Sequence, residues 1–185
     1  VDSSAIAVRP VVVTLAVDDD TQQRWDALRR RHFPSHRLLV GAHVTLFHAI
    51  PGERGDGALA DVTALAEETG PFPVTEDEPY SLGSGVALRV VSAGLRAVRA
   101  DLATRWGAWL SRQDSQPFRP HVTVQNKVDA QLARRTLAEL RAAAPCRWTG
   151  TATGIALWHY EGGRWAAIRT VPFRRSVVAG SRGAG

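Results

Sequence analysis

The stretches Gly41-Ala42-His43-Val44-Thr45-Leu46-Phe47 and Arg119-Pro120-His121-Val122-Thr123-Val124-Gln125 carry one pattern twice: a histidine and a threonine separated by one apolar residue and followed by another. Along a strand, side chains alternate between faces. His43 and Thr45 therefore share one face against Val44 and Leu46, and His121 and Thr123 share one against Val122 and Val124. Extended further, the same parity puts Phe47 on the His43 face and Gln125 and Lys127 on the His121 face. With 6 histidines in 185 residues, chance yields roughly 0.2 such matches, so a pair is informative. A lone match reads more naturally as a core histidine beside an ordinary strand threonine.

Outward from the two motifs, a repeat emerges. Val11–Val17 is a β-branched run that reads as a buried strand, and Asp18 to Asp20 offer caps for a helix reaching about Arg31. The His43 strand follows, then a helix over residues 58–68. The second copy has a strand at Val86–Val91, a helix at 95–110, the His121 strand and a helix at 130–143. Residues 72–80 separate the copies. Residues 147–173 read as two or three antiparallel strands turning at Glu161-Gly162-Gly163, and residues 174–185 as a frayed tail. The fold class is α+β: duplicated strand-helix units, about 11–70 and 86–145, form two pseudo-symmetric lobes with antiparallel sheets around a central cleft. Residues 1–173 make one bilobal domain.

Composition narrows the functional classes. A 44% hydrophobic, 22% charged chain of this length buries an ordinary globular core. The single cysteine, Cys146, has no internal disulfide partner, and no signal-like leader precedes the first strand, so the expectation is a cytoplasmic protein. No apolar run approaches the roughly 20 residues a membrane helix needs. Net charge is +5, and Lys127 is the only lysine. Arginine suits phosphate because its planar fork donates two parallel hydrogen bonds, although a GC-rich genome also yields such a composition.

Two imidazoles facing each other across a cleft fit in-line displacement at phosphorus, where the attacking and leaving oxygens lie on opposite sides and each needs its own proton-transfer group. His43 and His121 are the candidate catalytic residues, and the hydroxyls of Thr45 and Thr123 are placed to donate to non-bridging phosphate oxygens. Arg119, two positions before His121, is a candidate phosphate contact. Trp158 and Tyr160 share a face on the late hairpin and are candidates to stack on a nucleobase, with Phe47 behind them. His32, His36 and His48 read as surface or capping residues, and His159 opposes Trp158 and Tyr160. No compact His/Cys/Asp/Glu spacing suggests a metal, and no glycine-rich loop suggests a nucleotide cofactor.

These motifs resemble the paired signatures of the 2H phosphoesterase superfamily, and within it the chain is similar to the 2′-5′ RNA ligase-like RNA 2′,3′-cyclic phosphodiesterases. The resemblance extends to the closing pattern Leu157-Trp158, Gly163-Arg164-Trp165 and Val171-Pro172-Phe173. It implies a metal-independent cyclic phosphodiesterase of RNA processing, opening 2′,3′-cyclic phosphates on RNA 3′ ends or small cyclic nucleotides, with weak reverse 2′-5′ ligation. By family analogy His43 is the general acid and His121 the base. The competing readings are a non-catalytic nucleotide- or RNA-end-binding module and an enzyme acting on a non-RNA cyclic phosphate such as an ADP-ribose derivative. Nothing reads as a dimer helix, so a monomer is expected.

Overall fold

Thirteen residues, Thr149–Glu161, form the longest strand of the protein, and that length joins the two repeats. In a computed structural model describing residues 9–143 and 147–174, the first unit is β1 (Val11–Val17), α1 (Asp19–His32), β2 (Thr45–Ile50) and α2 (Gly55–Glu68). A strand β3 (Phe72–Ser81) precedes the second unit, β4 (Val86–Val91), α3 (Ala93–Arg105), β5 (His121–Gln125) and α4 (Ala130–Ala142). Strands β6 (Thr149–Glu161) and β7 (Arg164–Pro172) follow. Cys146 and the expected tail beyond Arg174 lie outside the described residues.

One edge of β6 pairs with β1, while the other is divided, its first residues joining β3 and the rest joining β7. A single curled antiparallel sheet results, ordered β2-β1-β6-β3-β4-β5 with β7 beside β6. The turn between β6 and β7 is closed by Gly162 and Gly163, both at positive φ (67° and 124°), backbone that glycine adopts without Cβ strain. Among the described residues no helix is long and apolar enough to cross a membrane.

Local signals explain most element ends. Asp18 caps α1 by accepting from the Thr21 N–H at 2.9 Å, and Ser92 caps α3 by accepting from Leu95. Helix α3 stops at Arg105, short of the expected 110. Trp106 is fully buried there, its ring 4.7 Å from Phe47 and its indole N–H bonded to Asp61 of α2, and a 3₁₀ turn follows at Gly107–Trp109. Residues 72–80, left unassigned by pattern, are most of β3. Two prolines and the polar run Thr75-Glu76-Asp77-Glu78 mask its alternation, and Pro79 sits beyond a bulge. Its Glu76 is buried, accepting the Trp25 indole N–H at 2.7 Å and a forked pair of bonds from Arg24, which seats α1 on the sheet.

The two sheet faces differ in bulk. Val11, Val13, Leu15, Ile155 and Leu157 enter the main core with the helices. The opposite face carries Thr14, Ala16, Ala87 and Ala156 at its centre, and these small side chains leave room for a cleft.

Candidate active site

Val44 and Val122 form an isolated antiparallel bridge. Each is the second residue of its motif, so a pseudo-twofold axis passes between them. Antiparallel register then sets His43 across from Thr123 and Thr45 across from His121. The other edge of the His43 strand is held by β1, whose Leu15 N–H donates to the Val44 carbonyl at 2.9 Å.

Both imidazoles are oriented in the same way. Nδ1 of His43 lies 2.8 Å from the Gly41 carbonyl, and Nδ1 of His121 lies 2.7 Å from the Arg119 carbonyl. A carbonyl only accepts, so Nδ1 carries the hydrogen in each ring, and each Nε2 is left for a ligand. All four motif side chains are half-buried. A bulge follows each threonine: β1–β2 register shifts between Thr45 and Phe47, and β4–β5 register between Thr123 and Gln125. Each bulge turns the strand away once the histidine and threonine have been presented.

Two buried arginines lace the motifs together. Arg29 of α1 donates to Val40, in the loop before its own motif, and to the Thr123 carbonyl of the other motif at 2.7 Å. Arg99 of α3 donates to Asp114, in the loop before its own motif, and to the Leu46 carbonyl of the other motif at 2.8 Å. Each guanidinium is also covered by an aromatic ring, Phe33 over Arg29 at 4.0 Å and Phe47 over Arg99 at 3.9 Å. The helix of each unit thus fixes the backbone of the opposite unit.

The surroundings of the histidines break this symmetry. His43 packs against Trp165, ring centroids 4.5 Å apart, and Trp165 leads on to Trp158 at 6.2 Å. The Trp158 indole N–H donates to Thr14, the cross-strand neighbour of Thr45, at 2.9 Å. These residues border a depression of 250 Å³. Burial pushes the His43 pKa down to about 4, opposed by its bond to Gly41 and reinforced by the charges of Arg29, His121 and His48. His121 instead meets the edge of Tyr80 at 6.1 Å and has Arg89 as its cross-strand partner. Beside it lies a second depression, of 330 Å³, bordered by Tyr80, Arg89 and Arg119.

The structure therefore brings together His43, Thr45, His121, Thr123, Arg119 and Trp158. Tyr160 shares the Trp158 face and pairs with Trp165, but stands outside the depression with 45% of its surface exposed. Phe47 is fully buried and offers no face to a base, and Gln125 is buried with its amide on Thr136 of α4, away from the cleft rim. Both corrections have one cause: parity fails across the bulges. Lys127 occupies an exposed left-handed turn position (φ 58°). Arg89, Tyr80, Trp165 and Thr14 belong to the site and were not singled out by the sequence reading. Arg89 alone left a signal, as the only charge within an apolar strand; the others depend on register. Among the described residues no group of three or more His, Cys, Asp or Glu side chains is arranged to hold a metal ion.

Residues 17–164 match the family model of the 2′-5′ RNA ligase superfamily. The chain belongs to this superfamily. This is the superfamily of the 2H phosphoesterases, and membership supports phosphoesterase chemistry in general. The fold of this 2H phosphoesterase is similar to that of Escherichia coli LigT solved with 3′-AMP, at 17% identity and TM-score 0.58, covering 90% of this chain and 99% of that one. It is also similar to TT0787 of Thermus thermophilus, at 14% identity and TM-score 0.62, covering 89% and 98%. A further crystal structure described as a phosphoesterase aligns at 17% identity and TM-score 0.61, covering 90% and 99%. No curated protein sequence matches the chain.

Proposed function

We propose that this 2H phosphoesterase hydrolyses 2′,3′-cyclic phosphates, on RNA 3′ ends or nucleotides, to 2′-phosphomonoesters through paired histidine catalysis. The observation that carries the reading is the matched tethering of His43 and His121: each Nδ1–H is held by the carbonyl two residues upstream, and each Nε2 is left for a ligand across a pseudo-twofold axis. In-line attack needs one proton acceptor and one donor on opposite sides of phosphorus. His43, whose depressed pKa leaves it neutral near pH 7, begins as the base. Its Nε2 takes a proton from water as the water oxygen bonds to phosphorus. The bond from phosphorus to the 3′ oxygen breaks, and His121 delivers a proton to that oxygen. This reverses the assignment that family analogy suggests. Thr45 and Thr123 donate to the non-bridging oxygens as charge moves onto them.

Crystal structures of Escherichia coli LigT complexed with 3′-AMP, ATP and NADP⁺ support a nucleotide-sized ligand. With a 5′-hydroxyl attacking in place of water, the same proton transfers, in the same direction, join two ends as a 2′-5′ linkage. The test is turnover of the four nucleoside 2′,3′-cyclic monophosphates and of a short RNA with a cyclic end, by wild type, His43→Ala and His121→Ala. Each variant is expected to lose about 10² to 10⁴ in rate, the usual worth of such a group. Nucleotide binding without turnover of any cyclic phosphate would instead favour a recognition module.

A further inference from the structure

The depressions flanking the Val44–Val122 bridge differ in charge. The His43 side is walled by Trp158 and Trp165. The His121 side is walled by Tyr80, Phe118 and Pro120 together with Arg89, Arg96 and Arg119, and no carboxylate lines it. The three arginines come from three places, β4, α3 and the loop before β5. All three are exposed, and among the described residues none joins an ion pair. The cavity that holds Arg24 and Arg147 is different, because Glu76, Asp77 and Glu78 line it and the first two pair with them.

Two of the three cations converge on Tyr80. The Arg89 guanidinium lies 5.8 Å from the centre of the Tyr80 ring. Burial raises the Tyr80 pKa while the charges of Arg89 and Arg119 oppose that rise, so both cations are near the phenol. The cluster is also not a by-product of the duplication. Arg89 lies two residues beyond the cross-strand partner of Thr123, and the corresponding place in the first unit, two beyond the partner of Thr45, is Ala16. Like charges from three elements, gathered without a counter-charge beside a proposed phosphoryl-transfer centre, suit an anion with several acceptor oxygens.

We propose that this depression binds a second phosphate of the substrate, beyond the one held at the histidines. The inference rests on the cyclic phosphodiesterase reading. The second phosphate is either the adjoining phosphodiester of an RNA 3′ end or a terminal phosphate of a small nucleotide.

The experiment compares kcat/KM for adenosine 2′,3′-cyclic phosphate, its 5′-phosphorylated form and a dinucleotide ending in 2′,3′-cyclic phosphate, using wild type, Arg89→Ala and Arg96→Ala. Wild type is expected to favour substrates with a second phosphate by about tenfold or more, as charge-assisted forks permit, and both variants to lose most of that preference. A preference for both, larger for the dinucleotide, assigns the site to the phosphodiester of RNA; an equal preference for the 5′-phosphorylated form assigns it to a terminal phosphate; a preference for the dinucleotide alone reports the added nucleoside and overturns the proposal. Equal kcat/KM on all three in wild type, or an equal loss on all three in the variants, overturns the proposal. Calorimetric binding of adenosine 2′-phosphate and adenosine 2′,5′-bisphosphate separates the two readings. Tighter bisphosphate binding that Arg96→Ala abolishes upholds the second-phosphate site even if no cyclic phosphate is turned over, and equal binding of the two overturns it.

Discussion

His43 is where the chemistry and stability of this protein become coupled. Its folded pKa of about 4 lies below the ordinary value near 6.5 because burial disfavours the imidazolium. The unfolded chain therefore binds the proton more readily, and this group's contribution to stability is complete above about pH 6.5 and is lost as pH falls toward 4. Thermal unfolding of wild type should weaken more steeply than that of His43→Gln across that window; parallel curves would contradict the shift. One limb of the kcat/KM profile should lie well below pH 6.5, since that profile reports groups of the free enzyme. An NMR titration of the His43 ring checks the value directly. The motif pair was legible in the sequence at this scale because only one alternation, from His to Thr, had to survive. Phe47 and Gln125 were misplaced because the chain bulges immediately beyond, and nothing in the residue types announces a bulge.

At the level of elements, Arg29 and Arg99 act as paired struts. Each donates to one carbonyl before its own motif and one within the opposite motif, so its removal strands two acceptors. Arg29→Met and Arg99→Met should each lower stability by about 2–4 kcal/mol, read from denaturant midpoints at constant slope. They should also reduce turnover, since the two motifs then lose their shared reference frame. A loss under about 0.5 kcal/mol would show these bonds to be incidental. All four helices and most of the strands were readable from caps, β-branched runs and period. β3 was not, because Pro73, Pro79 and its acidic residues resemble a linker until β4 and β6 are seen to pair with it. The arginines themselves were invisible as struts, being charged residues on amphipathic helices that their tertiary partners bury.

Across the whole molecule, duplication supplies two equivalent motifs, and the divided edge of β6 fuses their units into one sheet. The bridge at Val44 and Val122 then sets the motifs side by side. Symmetry presents two similar imidazoles, and asymmetric surroundings, tryptophans beside His43 and arginines beside His121, differentiate them. The repeat and the α+β class followed from sequence order; the pairing of the motifs and the divided β6 edge depend on contacts between residues far apart along the chain and have no local signature. Packing at the bridge should be sensitive for the same reason. Val44 and Val122 are fully buried, and truncating either to Ala should cost about 1–3 kcal/mol and depress turnover through misalignment.

The most direct test of the two-histidine account is leaving-group dependence. Turnover of a phosphodiester that releases p-nitrophenolate, which needs no protonation to depart, is to be compared with turnover of a 2′,3′-cyclic phosphate in His43→Ala and His121→Ala. His121→Ala is expected to recover most of its lost rate on the p-nitrophenyl ester, while His43→Ala, lacking the base, stays impaired. Recovery in His43→Ala alone would reverse the assigned roles, and wild-type rates in either variant on the cyclic phosphate would contradict paired histidine catalysis altogether.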